Sequence, residues 1–191
     1  MVYIKRISRR SEVTRAQYKR QQSEQAHKML FELLTGLYGI NASDGDLCKN
    51  KYGKPYLPGC ERIHFSISHC DGMAAVAFGE YPVGVDVEHT RDIKPALARH
   101  ICAEDEYKYL TEPNALLRLW TLKESYIKAI GRGLSFPLKN ISFNLDGDMI
   151  TSNVKDFKFS QYFFEEFVIS LCYHKNDKTV NSGELMLCEL C

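Results

Sequence analysis

The sequence predicts an α+β fold of two similar halves related by a pseudo-twofold, each with helices packed on a mostly antiparallel sheet. Apolar residues within 26–37 recur at i, i+3, i+4 and i+7, which is the spacing of one buried helix face. Apolar and polar residues alternate over residues 63–68 and 83–88, as is typical of half-buried strands. Because a helix followed by strands occurs twice, we divide the chain into residues 1–92 and 93–191.

The first half predicts a strand, a long helix and a hairpin, in that order. We expect the strand over residues 2–7, followed by a helix that Ser23 caps and Gly39 ends. Residues 41–59 are rich in Gly, Asn, Asp and Pro, which predicts a loop. The dipeptide Asp71-Gly72 predicts the turn of a hairpin between two strands.

The second half predicts two helices and then a run of strands. One helix is expected from Pro95 to about residue 111, and another from Pro113 to the stop at Gly131-Arg-Gly133. Alternating residues predict the strands 141–145, 157–164, 167–173 and 185–190.

The composition indicates a soluble globular protein with a real core. Of 191 residues, 45% are hydrophobic and 26% are charged, which excludes a chain that is disordered throughout. The longest unbroken apolar run covers residues 73–78, too short for a membrane helix. No apolar signal core follows the basic start, so we expect a cytoplasmic protein whose seven cysteines are reduced thiols.

A net charge of +1 conceals a basic N-terminal segment. Residues 1–28 carry eight Lys and Arg against two Glu, and the remainder of the chain is acidic. Such a segment can attract phosphate groups, nucleic acid or an acidic protein. The alternative is a solvated helix face, and charge alone leaves both interpretations open.

The segment Gly84-Val-Asp86-Val-Glu88 carries the strongest local signal for chemistry. In a strand, Asp86 and Glu88 lie on the face opposite the valines, with Cα atoms roughly 6.5–7 Å apart. Two carboxylates at that spacing can close on a divalent cation, and oxygen ligands suit Mg²⁺. Gly84 on the same face predicts space for a ligand. The alternative is a polar strand face exposed to water.

A second signal is the helical segment Trp120-Thr-Leu-Lys-Glu124-Ser-Tyr-Ile-Lys128. Glu124 and Lys128 are four residues apart and share a helix face, which is also the spacing of an ordinary surface salt bridge. Glu124 could instead supply a third metal-binding carboxylate or a base, while Lys128 neutralises phosphate oxygens.

Weaker signals precede both of these segments. His69 follows Ser68 at a strand end and could donate to a phosphate, although a structural histidine is the alternative. Lys54 lies in a Gly-Lys-Pro turn that is compatible with phosphate binding. The sequence contains neither a P-loop nor a Rossmann glycine pattern.

In combination and order, these segments resemble the 4'-phosphopantetheinyl transferase family, specifically its larger surfactin-synthetase-activating type. The family motifs G-[IV]-D-[IVL]-E and W-x-x-K-E-[SA]-x-x-K match residues 84–88 and 120–128 without a gap. The resemblance extends over residues 26–143. It implies the family fold, Mg²⁺ as cofactor and coenzyme A as co-substrate bound between the halves.

The resemblance also implies roles for individual residues. It assigns the metal site to Asp86, Glu88 and Glu124, and the catalytic roles to Glu124 and Lys128. The positions it implies for coenzyme binding are Lys28, Lys54, Ser68, His69, Asp86 and Lys128. Glu106 falls where the family often has a glutamate, without an assigned role.

The implied reaction transfers the 4'-phosphopantetheine group of coenzyme A to a serine of an apo acyl or peptidyl carrier protein or carrier domain. It releases adenosine 3',5'-bisphosphate. We expect a monomer that binds neither nucleic acid nor membrane, and we expect Asp86→Ala to leave the fold intact because a strand-surface carboxylate is not core. A metal-dependent nuclease or phosphodiesterase and a non-catalytic binding protein remain the alternatives.

Overall fold

A computed structural model describes residues 1–8, 13–91, 93–146, 149–180 and 185–187. Within these residues the chain forms three α-helices: α1 (Arg15–Tyr38), α2 (Ala98–Ile101) and α3 (Ala115–Ala129). The strands are β1 (Val2–Arg6), β2 (Cys48–Lys49), β3 (Pro55–Tyr56), β4 (His64–Cys70), β5 (Met73–Gly79), β6 (Val83–His89), β7 (Phe143–Asn144), β8 (Thr151–Ser152), β9 (Phe157–Phe164), β10 (Phe167–His174) and β11 (Leu185–Leu187). None of the described helices is long and apolar enough to cross a membrane.

Two sheets and two helices form four layers. The first sheet has the strand order β11-β1-β5-β4 and the second has the order β6-β10-β9. Helix α1 covers the outer face of the first sheet, the two sheets pack face to face, and α3 covers the outer face of the second. Apart from the parallel pair β1–β11, the ladders of these two sheets are antiparallel. The predicted α+β class is confirmed.

Each sheet combines strands from both sides of the predicted division at residues 92 and 93. Strand β6 of the first half pairs with β10 of the second, and β11 of the second half pairs with β1 of the first. The sheets are therefore shared between the halves, and the division itself stays a prediction.

Helix α1 begins earlier than the sequence analysis expects. Thr14, rather than Ser23, caps it: the Thr14 hydroxyl accepts a hydrogen bond from the Gln17 N–H, and the Gln17 side chain accepts one from the Thr14 N–H. This reciprocal capping box stabilises a first turn with little apolar character, which apolar spacing does not reveal. Gly39 ends the helix as predicted, in a left-handed conformation with φ of 68°.

The single helix expected from Pro95 to about residue 111 is wrong. The chain instead forms the short helix α2 and two 3₁₀ turns, Pro95–Leu97 and Glu104–Tyr109. Cys102 and Ala103 are extended, and the Glu106 carboxylate accepts a hydrogen bond from the Ala103 N–H. A buried side chain thus satisfies the backbone where a continuous helix would have done so.

The later strands follow the predictions, with different bounds for the first and the last of them. Strands β9 and β10 confirm the strands predicted over residues 157–164 and 167–173, and they pair with each other as antiparallel neighbours. The strand predicted over residues 141–145 is reduced to the two residues of β7. Strand β11 covers the start of the run predicted over residues 185–190, and the remainder of that run lies outside the described residues.

Candidate active site

The candidate site lies where the edge strands β4 and β6 of the two sheets meet. The Ser66 hydroxyl accepts a hydrogen bond from the Val85 N–H at 3.0 Å, and the Ser68 hydroxyl accepts one from the Val87 N–H at 3.2 Å. These serines satisfy buried N–H groups that a neighbouring strand would otherwise pair. The seam between the sheets therefore places Asp86, which lies between the two valines, beside Ser68.

Asp86 is buried in this seam and carries an ion pair. Its Oδ1 atom accepts hydrogen bonds from the Ser68 hydroxyl at 2.9 Å and from Lys128 Nζ at 2.6 Å. Lys128 Nζ also donates to the Ser68 hydroxyl at 2.8 Å. With 5% of its surface exposed, Asp86 is not the strand-surface carboxylate that the sequence analysis expects, because α3 covers this face.

Gly84 lies on the same face, but the space beside it is filled by α3. A Cβ atom on Gly84 would lie 1.9 Å from the Ser125 carbonyl oxygen and 2.5 Å from the Ala129 backbone nitrogen. The expectation that Gly84 leaves space for a ligand is therefore wrong. The glycine instead allows the helix backbone to approach the strand closely.

Glu124 is the carboxylate that α3 brings to this seam. Burial raises the pKa of its carboxyl to about 7, the negative charge of Asp86 contributes, and Lys128 opposes the shift. Its Oε1 atom is buried without a hydrogen-bond partner. Lys128, one turn later, forms its ion pair with Asp86, so the two motif segments meet through β6 and α3.

Glu88 completes the set of carboxylates and is better solvated. Burial and the charge of Asp86 raise its pKa, while Arg91 and a hydrogen bond with Trp120 lower it. Its Oε2 atom accepts a hydrogen bond from Arg91 at 3.2 Å. The fields of Glu88 and Asp86 both raise the pKa of Glu124, so the three carboxylates act on one another.

The donor set fits Mg²⁺ in its chemistry. Asp86 Oδ2 and Glu124 Oε1 are both buried and both lack a hydrogen-bond partner. Hard oxygen ligands of this kind are the ones that Mg²⁺ prefers. As the side chains stand, no group of three or more His, Cys, Asp or Glu among the described residues has the geometry of a metal centre. The ammonium of Lys128 lies against Asp86 instead.

His69 points away from Ser68 on strand β4 and borders a separate cleft of about 440 Å³. The pKa of His69 is lowered by burial and by the positive fields of Lys128, Lys19 and His27. The walls of this cleft are Ser23, His27, Asp44, Leu47, Lys49, Gly53, Pro55, Ile67 and His69. The cleft is thus lined by residues of the first half alone, and its wall holds the ion pair of His27 and Asp44.

The structure does not bring Lys54 or Lys28 to the carboxylates. Lys54 Nζ donates to the carbonyl oxygens of Val83 at 3.1 Å and Ala129 at 2.9 Å, and burial lowers its pKa to about 8. A coenzyme contact would require this ammonium to leave those carbonyls. Lys28 is exposed on α1, with its ammonium 3.6 Å from the Glu32 carboxylate.

Sequence reasoning missed a second buried ion pair beside the first. Glu106 and Lys123 are fully buried and 2.7 Å apart. Lys123 Nζ also donates to the carbonyl oxygens of Leu138 and Ile141, at 3.1 and 2.5 Å. Helical spacing could have indicated the burial of Lys123, because this residue lies four residues after one buried apolar residue and four before another.

Comparisons with known proteins agree with the two motif segments. Residues 82–172 match the family model of the 4'-phosphopantetheinyl transferase superfamily. The 4'-phosphopantetheinyl transferase Sfp of Bacillus subtilis (strain 168) is 33% identical over 137 residues, covering 65% of this chain and 61% of that protein. The 4'-phosphopantetheinyl transferase gsp of Aneurinibacillus migulanus is 40% identical over 98 residues, covering 48% of this chain and 40% of that protein.

The chain spans about three fifths of the length of the first of these relatives. Among solved structures, the holo-[acyl-carrier-protein] synthase (AcpS) of Thermotoga maritima is similar over 48% of this chain and 61% of that chain. The sequence identity there is 24% and the TM-score is 0.42. Over residues 82–172 the family model confirms the resemblance predicted from the motifs, and the relatives agree with it.

Proposed function

Because residues 82–172 belong to the 4'-phosphopantetheinyl transferase superfamily, we propose that this protein transfers 4'-phosphopantetheine from coenzyme A to a serine of an apo acyl or peptidyl carrier protein. The serine oxygen forms a bond to the phosphorus that carries pantetheine. The diphosphate P–O bond breaks, adenosine 3',5'-bisphosphate leaves, and the serine proton passes to a base. The protein needs no nucleophile of its own, because the carrier supplies it.

One observation carries the proposal: β6 and α3 bring buried carboxylates together with acceptor oxygens unused. Asp86 Oδ2 and Glu124 Oε1 lack partners, and Glu88 lies two residues along β6 from Asp86. These three residues would hold Mg²⁺. When bound, the ion would supply positive charge to the diphosphate oxygens during displacement.

Glu124 and Lys128 would do the remaining chemistry. Glu124 is the proposed base for the serine proton, because it is the carboxylate that α3 brings to the seam beside Lys128. The Lys128 ammonium lies at the seam, where it pairs with Asp86. That charge can offset the negative charge that develops on the leaving group.

The cleft beside His69 is our proposed route for coenzyme A. Of its wall residues, Lys49 supplies positive charge and His69 a ring N–H donor for a polyanionic ligand, while His27 pairs with Asp44. Ser68 lies on the same strand next to His69 and contacts both Asp86 and Lys128. Lys28, exposed on α1, is a further proposed phosphate contact. We also propose a cytoplasmic monomer that binds neither nucleic acid nor membrane.

Intact-mass analysis of an apo carrier protein tests this proposal directly. Incubation with coenzyme A, Mg²⁺ and the protein should add one phosphopantetheine, and chelation of Mg²⁺ should prevent the gain. Asp86→Asn should reduce the initial rate by at least about 100-fold, because it removes a ligand charge and the partner of Lys128. Glu61→Gln, a change at an exposed carboxylate of the first half, should leave the rate unchanged.

Absence of any gain on fatty acid, polyketide and nonribosomal peptide carriers, with the protein shown to be folded, would contradict the proposal. Cleavage of DNA that depends on Asp86 would instead support the nuclease alternative. Nucleases of the restriction type usually place their Glu and Lys on a strand, whereas here Glu124 and Lys128 lie on α3.

A further inference from the structure

A buried polar network lies beside the carboxylates, on the side away from Ser68. On the second sheet, Ser170 of β10 lies opposite Asp86 of β6 and also opposite Gln161 of β9. The three residues form one row across the sheet, and directly opposed residues share a face. This is the face that α3 covers, so the network continues the row in which the candidate metal ligand Asp86 stands.

The network connects this row to α3 by directed hydrogen bonds. The Ser170 hydroxyl donates to Thr121 Oγ1 at 2.8 Å and accepts from Gln161 Nε2 at 2.9 Å. Thr121 in turn donates to the Arg118 carbonyl oxygen at 3.0 Å. Gln161 Oε1 accepts from Arg118 Nε at 2.8 Å. Thr121 and Ser170 are fully buried, and each hydroxyl has both a donor and an acceptor partner.

Thr121 connects the network to the side of α3 that carries the candidate site residues. Thr121, Glu124 and Lys128 are spaced by three and four residues, so they lie along one side of the helix. A slip of α3 by one residue would move Glu124 by about 1.5 Å and rotate it away from Asp86. A fully satisfied buried hydrogen-bond chain specifies one arrangement of the groups that it joins.

We propose that Thr121, Ser170 and Gln161 are positioning residues that hold α3 in register on the second sheet, so that Glu124 faces Asp86. The inference rests on the proposed function, since it concerns how the same carboxylates are arranged for Mg²⁺ and coenzyme A. A purely structural network would contribute to stability and leave metal binding unchanged.

The test compares three helix variants with the unmodified protein. Thr121→Val removes the hydroxyl and keeps the shape, and Thr121→Ser restores the hydroxyl. Ser125→Ala is the matched control, because the Ser125 hydroxyl donates only within α3, to the Leu122 carbonyl oxygen at 2.7 Å. Calorimetric titration of MgCl₂ in the presence of coenzyme A, without carrier protein, measures metal binding in the absence of turnover.

Thr121→Val should weaken Mg²⁺ binding and lower kcat by about 10-fold or more each, the size typical of groups that orient metal ligands. Thr121→Ser and Ser125→Ala should bind Mg²⁺ as the unmodified protein does. If Thr121→Val does not fold, Ser170→Ala provides the same comparison from the sheet side, since it removes the hydroxyl that donates to Thr121.

Loss of thermal stability in Thr121→Val with unchanged Mg²⁺ binding and kcat would overturn the positioning role. An equal effect of Ser125→Ala would overturn it too. If the unmodified protein binds Mg²⁺ but transfers nothing to any carrier, only the proposed function fails. If it binds no Mg²⁺ in the presence of coenzyme A, the metal assignment and this inference fail together.

Discussion

Helix α3 carries two lysines of one motif, and they lie in contrasting ion pairs. Lys123 pairs with Glu106 in a fully buried site where the carboxylate oxygens accept three bonds, from Lys123 and from the N–H groups of Ala103 and Phe143. Lys128 pairs with Asp86 in the seam between the sheets, where one Asp86 oxygen has no partner. Both lysines lie on α3, yet only the pair of Lys123 and Glu106 is complete, in the sense that both carboxylate oxygens have hydrogen-bond partners.

The difference separates a structural ion pair from the proposed binding site. Burial of charge costs free energy unless every polar atom finds a partner, and the pair of Lys123 and Glu106 meets that condition. The pair of Lys128 and Asp86 does not meet it, since one oxygen of Asp86 has no hydrogen-bond partner. The neighbouring Glu124 also has a buried oxygen without a partner. The unused oxygens of Asp86 and Glu124 support the Mg²⁺ site proposed above.

The largest effect is expected from breaking the complete pair. Lys123→Met leaves the Glu106 carboxylate buried without its cation, which should lower the free energy of unfolding by about 3–5 kcal/mol. Urea denaturation followed by circular dichroism measures the change. Part of the loss should return in the double variant Glu106→Gln with Lys123→Met, because the uncompensated charge is then gone.

The control for this experiment is Lys108→Met, which breaks the exposed ion pair with Asp146 and should change stability little. A Lys123→Met protein as stable as the control would show that the Glu106 pair is not the structural element described here. A stable Lys123→Met protein that has lost phosphopantetheine transfer would place Lys123 in the chemistry instead.

The raised pKa of Glu124, beside the incomplete pair, should make the metal-free protein less stable as pH rises. The pKa of Glu124 is raised in the fold from 4.5 to about 7, so the folded state holds a proton that the unfolded state releases between those values. Stability is therefore lost between about pH 4.5 and pH 7, by about 3 kcal/mol for this shift. Burial also raises the pKa of Glu88, which acts in the same direction.

Urea midpoints in EDTA at pH 5 and pH 8 measure this loss, and Glu124→Gln isolates the share of Glu124. Because glutamine does not titrate, the variant should lose less stability between the two pH values than the unmodified protein. Added Mg²⁺ should restore stability at pH 8 in the unmodified protein only. Equal losses in the two proteins would contradict the raised pKa of Glu124.

Much of the fold was predictable because local patterns determine it. Alternation identified β4 and β6, and the flanking Pro and Gly signals identified α3 within two residues at either end. The start of α1 was missed since its first turns are polar, although Thr14 and Gln17 have the spacing of a capping box. The layers themselves depend on long-range pairing, which no local pattern encodes.

The candidate site was predictable residue by residue but not as an arrangement. The motifs indicated Asp86, Glu124 and Lys128, and the structure brings all three together. Strand alternation shows that Gly84 and Asp86 share a face, yet it cannot show that a helix backbone fills the space beside Gly84. Which sheet edges meet at the seam, and which serine contacts the carboxylate, follows only from tertiary packing.

The smallest expected effect compares two serines of β4 that perform the same backbone task. Ser66 accepts a hydrogen bond from Val85, and Ser68 accepts one from Val87 while also contacting Asp86 and Lys128. Replacing either serine with alanine leaves a buried N–H without its partner, which should cost about 1 kcal/mol of stability for Ser66→Ala and more for Ser68→Ala, which also loses its bonds with Asp86 and Lys128. Only Ser68→Ala should also lower the rate of transfer, because it removes a hydrogen bond from Asp86 and from Lys128. Urea midpoints and intact-mass rates on the same two proteins measure the two quantities. Equal rates in the two variants would show that the Ser68 hydroxyl only satisfies the backbone at the seam. The chemistry would then depend on the carboxylates and Lys128 and would not need Ser68.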